Sequence, residues 1–64
     1  MESYKIEYNN LLKRYYNGCK YLEDNPDKFE EYLSLLLNIR EKLDIIIEKY
    51  NIYNSDIILN GFKE

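Results

Sequence analysis

The sequence breaks into two halves at Asp24-Asn25-Pro26-Asp27. Asn25 is a good N-cap, and Pro26 suits the first position of a helix because its missing N–H is not needed there. Asp27 would then lie in the first turn, where a carboxylate faces the positive end of the helix dipole. This stretch therefore predicts a bend that is followed at once by a second helix.

Before the bend, apolar residues recur at spacings of three and four, as on one face of a helix. They are Tyr8, Leu11, Leu12, Tyr15, Tyr16, Cys19 and Leu22. We predict a helix from about Tyr4 to Glu23, with Ser3 as its cap. Gly18 costs about 1 kcal/mol in a helix relative to Ala, which indicates either close approach of the second helix, the reading we favour, or a local kink. Cys19 shares the apolar face and should be inaccessible.

The second helix should run to about Tyr50, and it carries more apolar surface than one neighbour can cover. One seam has the alternating four and three spacing of a heptad pattern and consists of Tyr32, Leu36, Ile39, Leu43, Ile46 and Tyr50. An overlapping second line consists of Phe29, Leu33, Leu36, Leu43, Ile47 and Tyr50. A helix packed on one partner buries a stripe about 100° wide, so this helix should face two neighbours.

A second copy of the chain is the neighbour that we predict for the seam. Leaving Leu36, Ile39, Leu43 and Ile46 in water would forgo roughly 6 to 10 kcal/mol, comparable with the whole stability of so small a domain. We therefore predict an all-α fold: an antiparallel helical hairpin of two long helices that associates as a dimeric helical bundle through the seam.

The C-terminal stretch should form a turn and a short helix. Residues 51–54 indicate the turn, Ser55 is the expected cap, and Gly61 should end the helical segment 56–60. We expect this tail to fold over the open end of the hairpin or over a second subunit. No linker or repeat divides the chain, which predicts a single domain over residues 1–64.

The composition argues against a catalytic or metal-binding protein. Cys19 is the only cysteine and histidine is absent, so neither a disulfide nor a usual transition-metal site can be built, and we expect no cofactor. Histidine, the commonest general base in enzymes, is therefore missing, and no Gly-rich phosphate loop is present. The carboxylates around the bend are Glu23, Asp24, Asp27, Glu30 and Glu31. Acids are ordinary at such positions, and the sequence leaves open whether they form a binding surface.

Charge and hydrophobicity limit the partners further. The net charge of −3 disfavours nucleic acid, which attracts basic surfaces, although an acidic helical protein can block a basic groove on another protein. The apolar runs are far shorter than the roughly 20 residues that cross a bilayer. The N-terminal residues also lack the layout of a signal peptide, so we expect a cytoplasmic protein with no membrane or small-molecule partner.

Three tyrosines at the edges of the apolar stripes are further interface candidates: Tyr4, Tyr21 and Tyr53. Ala, Val, Thr, Gln, Trp and His are absent while Asn, Lys, Ile and Tyr are abundant, which indicates an AT-rich genome such as that of a low-GC bacterium or its phage. We predict a non-catalytic interaction module of phage or mobile-element origin. It would bind itself and an unidentified host or phage protein, as an inhibitor does.

A second interpretation comes from Leu43-Asp44-Ile45-Ile46-Ile47-Glu48-Lys49-Tyr50. This stretch resembles the Leu-Asp-x-x-Ile-x-x-Tyr motif of the small aspartyl-phosphate phosphatases that drain the sporulation phosphorelay, which are also helical hairpins. The resemblance implies that Asp44 is a catalytic residue acting on a response regulator. Arg40-Glu41 stands where that family has a Ser-Gln pair.

Overall fold

The computed structural model describes residues 1–63, which form three helices joined by short turns. Helix α1 is Ser3–Asp24, α2 is Phe29–Lys49 and α3 is Ser55–Asn60, and a single 3-10 turn, Pro26–Lys28, joins α1 to α2. The two long helices pack side by side as a hairpin, so the all-α hairpin is confirmed. The described part of the predicted single domain excludes only Glu64, which lies outside the described residues.

The predicted break at the bend is confirmed, but the helix caps are not. Ser3 is already the first residue of α1, with Glu2 in the cap position. Asn25 holds the N-cap position of the 3-10 turn, and Pro26 holds its first position, as predicted. The Asn25 side chain makes no cap hydrogen bond there, however, and donates its amide N–H to the Tyr21 carbonyl (3.0 Å) at the end of α1. Asn54, one residue before the predicted Ser55, caps α3 by accepting hydrogen bonds from two backbone N–H groups.

Gly18 lies where the two long helices approach closely, as predicted. A Cβ atom at this position would come within 2.6 Å of Leu36 Cδ2, closer than real Cβ contacts allow. The absence of a side chain therefore lets Leu36 of α2 pack directly against the backbone of α1.

The core of the chain lies between the long helices and under the C-terminal tail. Its buried apolar residues are Tyr8, Leu11, Leu12, Leu36, Ile39, Leu43, Ile46 and Ile52. Four of these belong to the seam for which we predicted a second copy. The premise that a single chain leaves them in water is wrong, because α1 and the tail cover them.

The tail folds back over the open end of its own hairpin, one of the two predicted alternatives. Tyr8 donates its hydroxyl hydrogen to the Ile58 carbonyl (2.7 Å). Asn9 donates to the Phe62 carbonyl (2.9 Å) and accepts from the Phe62 N–H (2.7 Å). Gly61 ends α3 with a φ of 87°, a conformation that favours glycine. The tail is thus hydrogen-bonded to α1, and Ile58 of α3 lies beside Leu43 and Ile47 of α2.

Candidate functional site

An apolar groove remains open between the long helices near the bend. Its α2 wall is formed by three residues spaced four apart: Phe29 is 51% exposed, Leu33 37% and Leu37 60%. Cys19 and Leu22 line the α1 wall, and the buried Leu36 also lines it. We call the surface formed by Cys19, Leu22, Phe29, Leu33, Leu36 and Leu37 the bend groove.

The bend groove stays open because the tail is too short to reach it. Helix α3 has six residues and is about 9 Å long, whereas α2 has 21 residues and is about 31 Å long. Ile58 packs near Leu43 and Ile47, at the end of the second apolar line that lies farthest from the bend. Phe29 and Leu33, at the other end of the same line, are left exposed.

Negative charge is concentrated beside the bend groove. Residues 20–31 contain two lysines and five carboxylates, a net charge of −3, while the remainder of the chain has seven cations and seven carboxylates. All five carboxylates are exposed, and Glu23 itself lines the groove. Lys28 forms an ion pair with Glu31, with Nζ 3.6 Å from Oε2. The whole net charge of the chain therefore surrounds the bend.

A second groove lies on the other side of the hairpin and has a different character. Ile6 and Ile45 expose about half of their surfaces there, at 48% and 54%. Arg14, Lys42 and Glu7 line it together with polar residues of α1. Its apolar side chains are separated by charged ones of both signs, so it lacks the continuous apolar wall of the bend groove.

The predicted interface residues fall into three environments. The seam residues Leu36, Ile39, Leu43 and Ile46 lie in the core, so a dimer of folded chains cannot use them as its main contact. The tyrosines at the two ends of the seam each pair with another predicted interface tyrosine of the same chain. Tyr53 is 78% exposed on the turn before α3.

The two tyrosine pairs join α1 to α2. Tyr4 and Tyr50 stack face to face at the open end, with ring centroids 3.9 Å apart and 5° between the planes. Tyr21 and Tyr32 lie at the other end of the hairpin, with centroids 4.9 Å apart. Partial desolvation, together with Tyr32, raises the pKa of Tyr21. These four residues therefore hold the hairpin together at both ends.

Asp44 lies exposed on α2 and forms an ion pair within its own helix. Arg40 Nε is 3.5 Å from Asp44 Oδ1, the i,i+4 spacing at which helical side chains meet. Hydrogen bonding to Tyr15 and the charge of Asp44 raise the pKa of the Arg40 guanidinium. Asp44, which the resemblance to the phosphatases implies is catalytic, is therefore paired with the cation Arg40 and not with a second acid.

Cys19 differs from its prediction, and Leu37 was not singled out from sequence. Cys19 is half-buried at the edge of the bend groove, so the prediction that it is inaccessible is wrong. Leu37 belongs to neither apolar line, yet it is the most exposed residue of the groove wall. The spacing of four that links Phe29, Leu33 and Leu37 is the signal that could have found it.

Comparison of the chain with protein-family models, curated proteins and solved structures finds no match. None of the helices within residues 1–63 has the length and hydrophobicity needed to cross a membrane. In the same part of the chain, no cluster of three or more acidic or cysteine side chains is placed to hold a metal ion.

Proposed function

We propose that this chain is a non-catalytic interaction module that binds another protein through the bend groove. The observation that carries the proposal is the row of three large, exposed side chains on one wall of that groove. Phe29, Leu33 and Leu37 keep on average about half of their surfaces open to water. Contiguous exposed apolar patches often mark interaction sites.

In this proposal, a homodimer would form through a different surface from the predicted seam. Because the seam is filled inside each chain, two folded copies must meet through exposed residues instead. Self-association through the bend groove is therefore the alternative to binding a different protein, and sedimentation measurements separate the two.

The setting of the proposed function follows from composition. The residue usage favours a phage or mobile element of a low-GC bacterium, and the single cysteine suits the reducing cytoplasm. In that setting a small acidic chain would act by occupying a surface of a host protein, as an inhibitor does.

Capture experiments with matched variants test the proposal. Immobilised wild type, Leu37→Ser and Ile45→Ser would be exposed to a lysate of the cells that encode the chain. Both substitutions remove a half-exposed apolar side chain from α2, but only Leu37 lies in the bend groove. We expect a protein that wild type and Ile45→Ser retain and Leu37→Ser loses. If every retained protein binds all three equally, the bend groove is not the binding site.

A phosphatase is the second candidate, favoured by the exposed position of Asp44 on a helical hairpin. A response-regulator receiver domain labelled on its aspartyl phosphate would be incubated with wild type, Asp44→Asn and, as a matched surface control, Glu48→Gln. The interaction module predicts the same slow loss of label in all three. Rapid loss that Asp44→Asn alone abolishes would establish the phosphatase instead.

A further inference from the structure

The shape of the bend groove suits a helix. Phe29, Leu33 and Leu37 are spaced by four residues and span about 12 Å along α2. A groove between two helices accepts the side chains of a third at positions i, i+3 or i+4, and i+7. The chain already binds a helix in this way, because α3 packs on the continuation of the same apolar line near the open end.

The negative charge around the bend groove should favour binding of positively charged helices. The net charge of −3 in residues 20–31 lies in exposed side chains, which attract cations and repel anions. Such complementarity affects both the rate of association and the choice of partner. A helix that enters the groove with Lys or Arg on its outer edges would meet Glu23 and its acidic neighbours.

A second copy of the chain fits the groove poorly. Two-fold pairing of one groove with another brings two bends of charge −3 close together, and like charges oppose that contact. The three exposed side chains of the wall are enough to receive the few anchoring side chains of one docked helix.

We infer that the bend groove binds a basic amphipathic helix: a partner segment with apolar side chains on one face and Lys or Arg beside them. This inference rests on the proposed function and adds the chemistry of the partner. The apolar wall supplies the affinity, and the acidic bend supplies the selection for positive charge.

Synthetic peptides test the inference directly. The probe is an amphipathic peptide of about 14 residues, or four helical turns, with Leu on one face and Lys on the other. One Trp in the peptide reports binding, since the protein contains none. Two control peptides complete the set, one with every Lys replaced by Glu and one with the same composition in a scrambled order that gives a helix no apolar face.

We expect the basic peptide to bind at least about tenfold more tightly than the acidic one at low salt, with the difference shrinking as salt is added. Leu37→Ser should weaken binding about fivefold or more, and Ile45→Ser should leave it unchanged. Glu23→Gln with Glu30→Gln should weaken binding at low salt and have little effect at high salt. Circular dichroism of each variant confirms that the fold is retained.

Several outcomes would overturn the inference. Equal binding of basic and acidic peptides, or equal effects of Leu37→Ser and Ile45→Ser, would remove its basis. Sedimentation of the wild type as a dimer that Leu37→Ser dissociates would assign the groove to a second copy. A protein captured through Leu37 whose contacting segment is acidic would leave the proposed function standing and refute only the partner chemistry.

Discussion

Two isoleucines of α2 provide a direct test of where the apolar seam is buried. Ile39 is 4% exposed, whereas Ile45 is 54% exposed on the same helix. Truncation of a buried Ile to Ala costs about 2 to 5 kcal/mol, because apolar contacts are lost and a cavity remains. Ile45→Ala removes a half-exposed side chain, so it loses much less burial than Ile39→Ala, and a gain of about 0.4 kcal/mol in helix propensity offsets part of that loss.

The cost at Ile39 is large for a chain of 64 residues. A domain of this length has a total free energy of unfolding of roughly 3 to 10 kcal/mol. Ile39→Ala should therefore lower Tm by about 10 to 30 °C, and some of the protein should already be unfolded at room temperature if the stability is at the low end. Ile45→Ala should move Tm by no more than a few degrees.

Thermal unfolding followed by far-UV circular dichroism measures both effects. Each protein would be melted at two concentrations that differ about twentyfold, because a fold that depends on a second copy melts at a higher temperature when it is concentrated. Burial within one chain predicts the same Tm at both concentrations. Equal shifts for the two variants, or a wild-type Tm that rises with concentration, would refute the assignment of Ile39 to an intramolecular core.

Three further predictions concern the tail and the groove. Asn9→Ala removes both hydrogen bonds to the Phe62 backbone and should lower the free energy of unfolding by about 1 to 3 kcal/mol in urea titrations; an unchanged midpoint would show that the tail is held by other contacts. Burial, reinforced by Tyr16, raises the pKa of Tyr8 above its usual value, so the stability that its protonated hydroxyl contributes through Ile58 is present below about pH 10 and is lost as pH rises through the folded-state pKa. Urea titrations across that range should show a steeper decline for wild type than for Tyr8→Phe, and parallel curves would argue against this role. Cys19 should react with a small thiol reagent in the native protein, more slowly than in urea; complete protection without denaturant would place it in the core.

The hairpin and its division could be predicted from sequence because both depend on local signals. Pro26 cannot continue a helix, and the spacing of Leu36, Ile39, Leu43 and Ile46 assigns them to one helix face. The width of the apolar surface led to the prediction of a second copy beside α2, whereas Ile58 of the same chain lies beside Leu43 and Ile47. Periodicity shows which side chains must be buried, but it does not show which element packs over them.

The features that were predicted wrongly also depend on contacts that the local sequence does not specify. Asn25 and Asn54 are both able to cap a helix, and which backbone group each one bonds is decided by the turn geometry around it. The short α3 was recognised, yet its role as cover for Ile47 depends on contacts between residues about 50 positions apart. The bend groove was only half visible, since Phe29 and Leu33 belonged to a recognised line and Leu37 did not.

The tail contacts also affect the order in which the parts of the chain can fold. Tyr8 and Ile58 are 50 positions apart in sequence, and Asn9 and Phe62 are 53 apart. During synthesis at about 5 to 20 residues per second, α1 and α2 are both made before the residues that cover their open end. Closure of the tail over Tyr8, Leu12 and Ile47 is therefore a step that spans most of the chain.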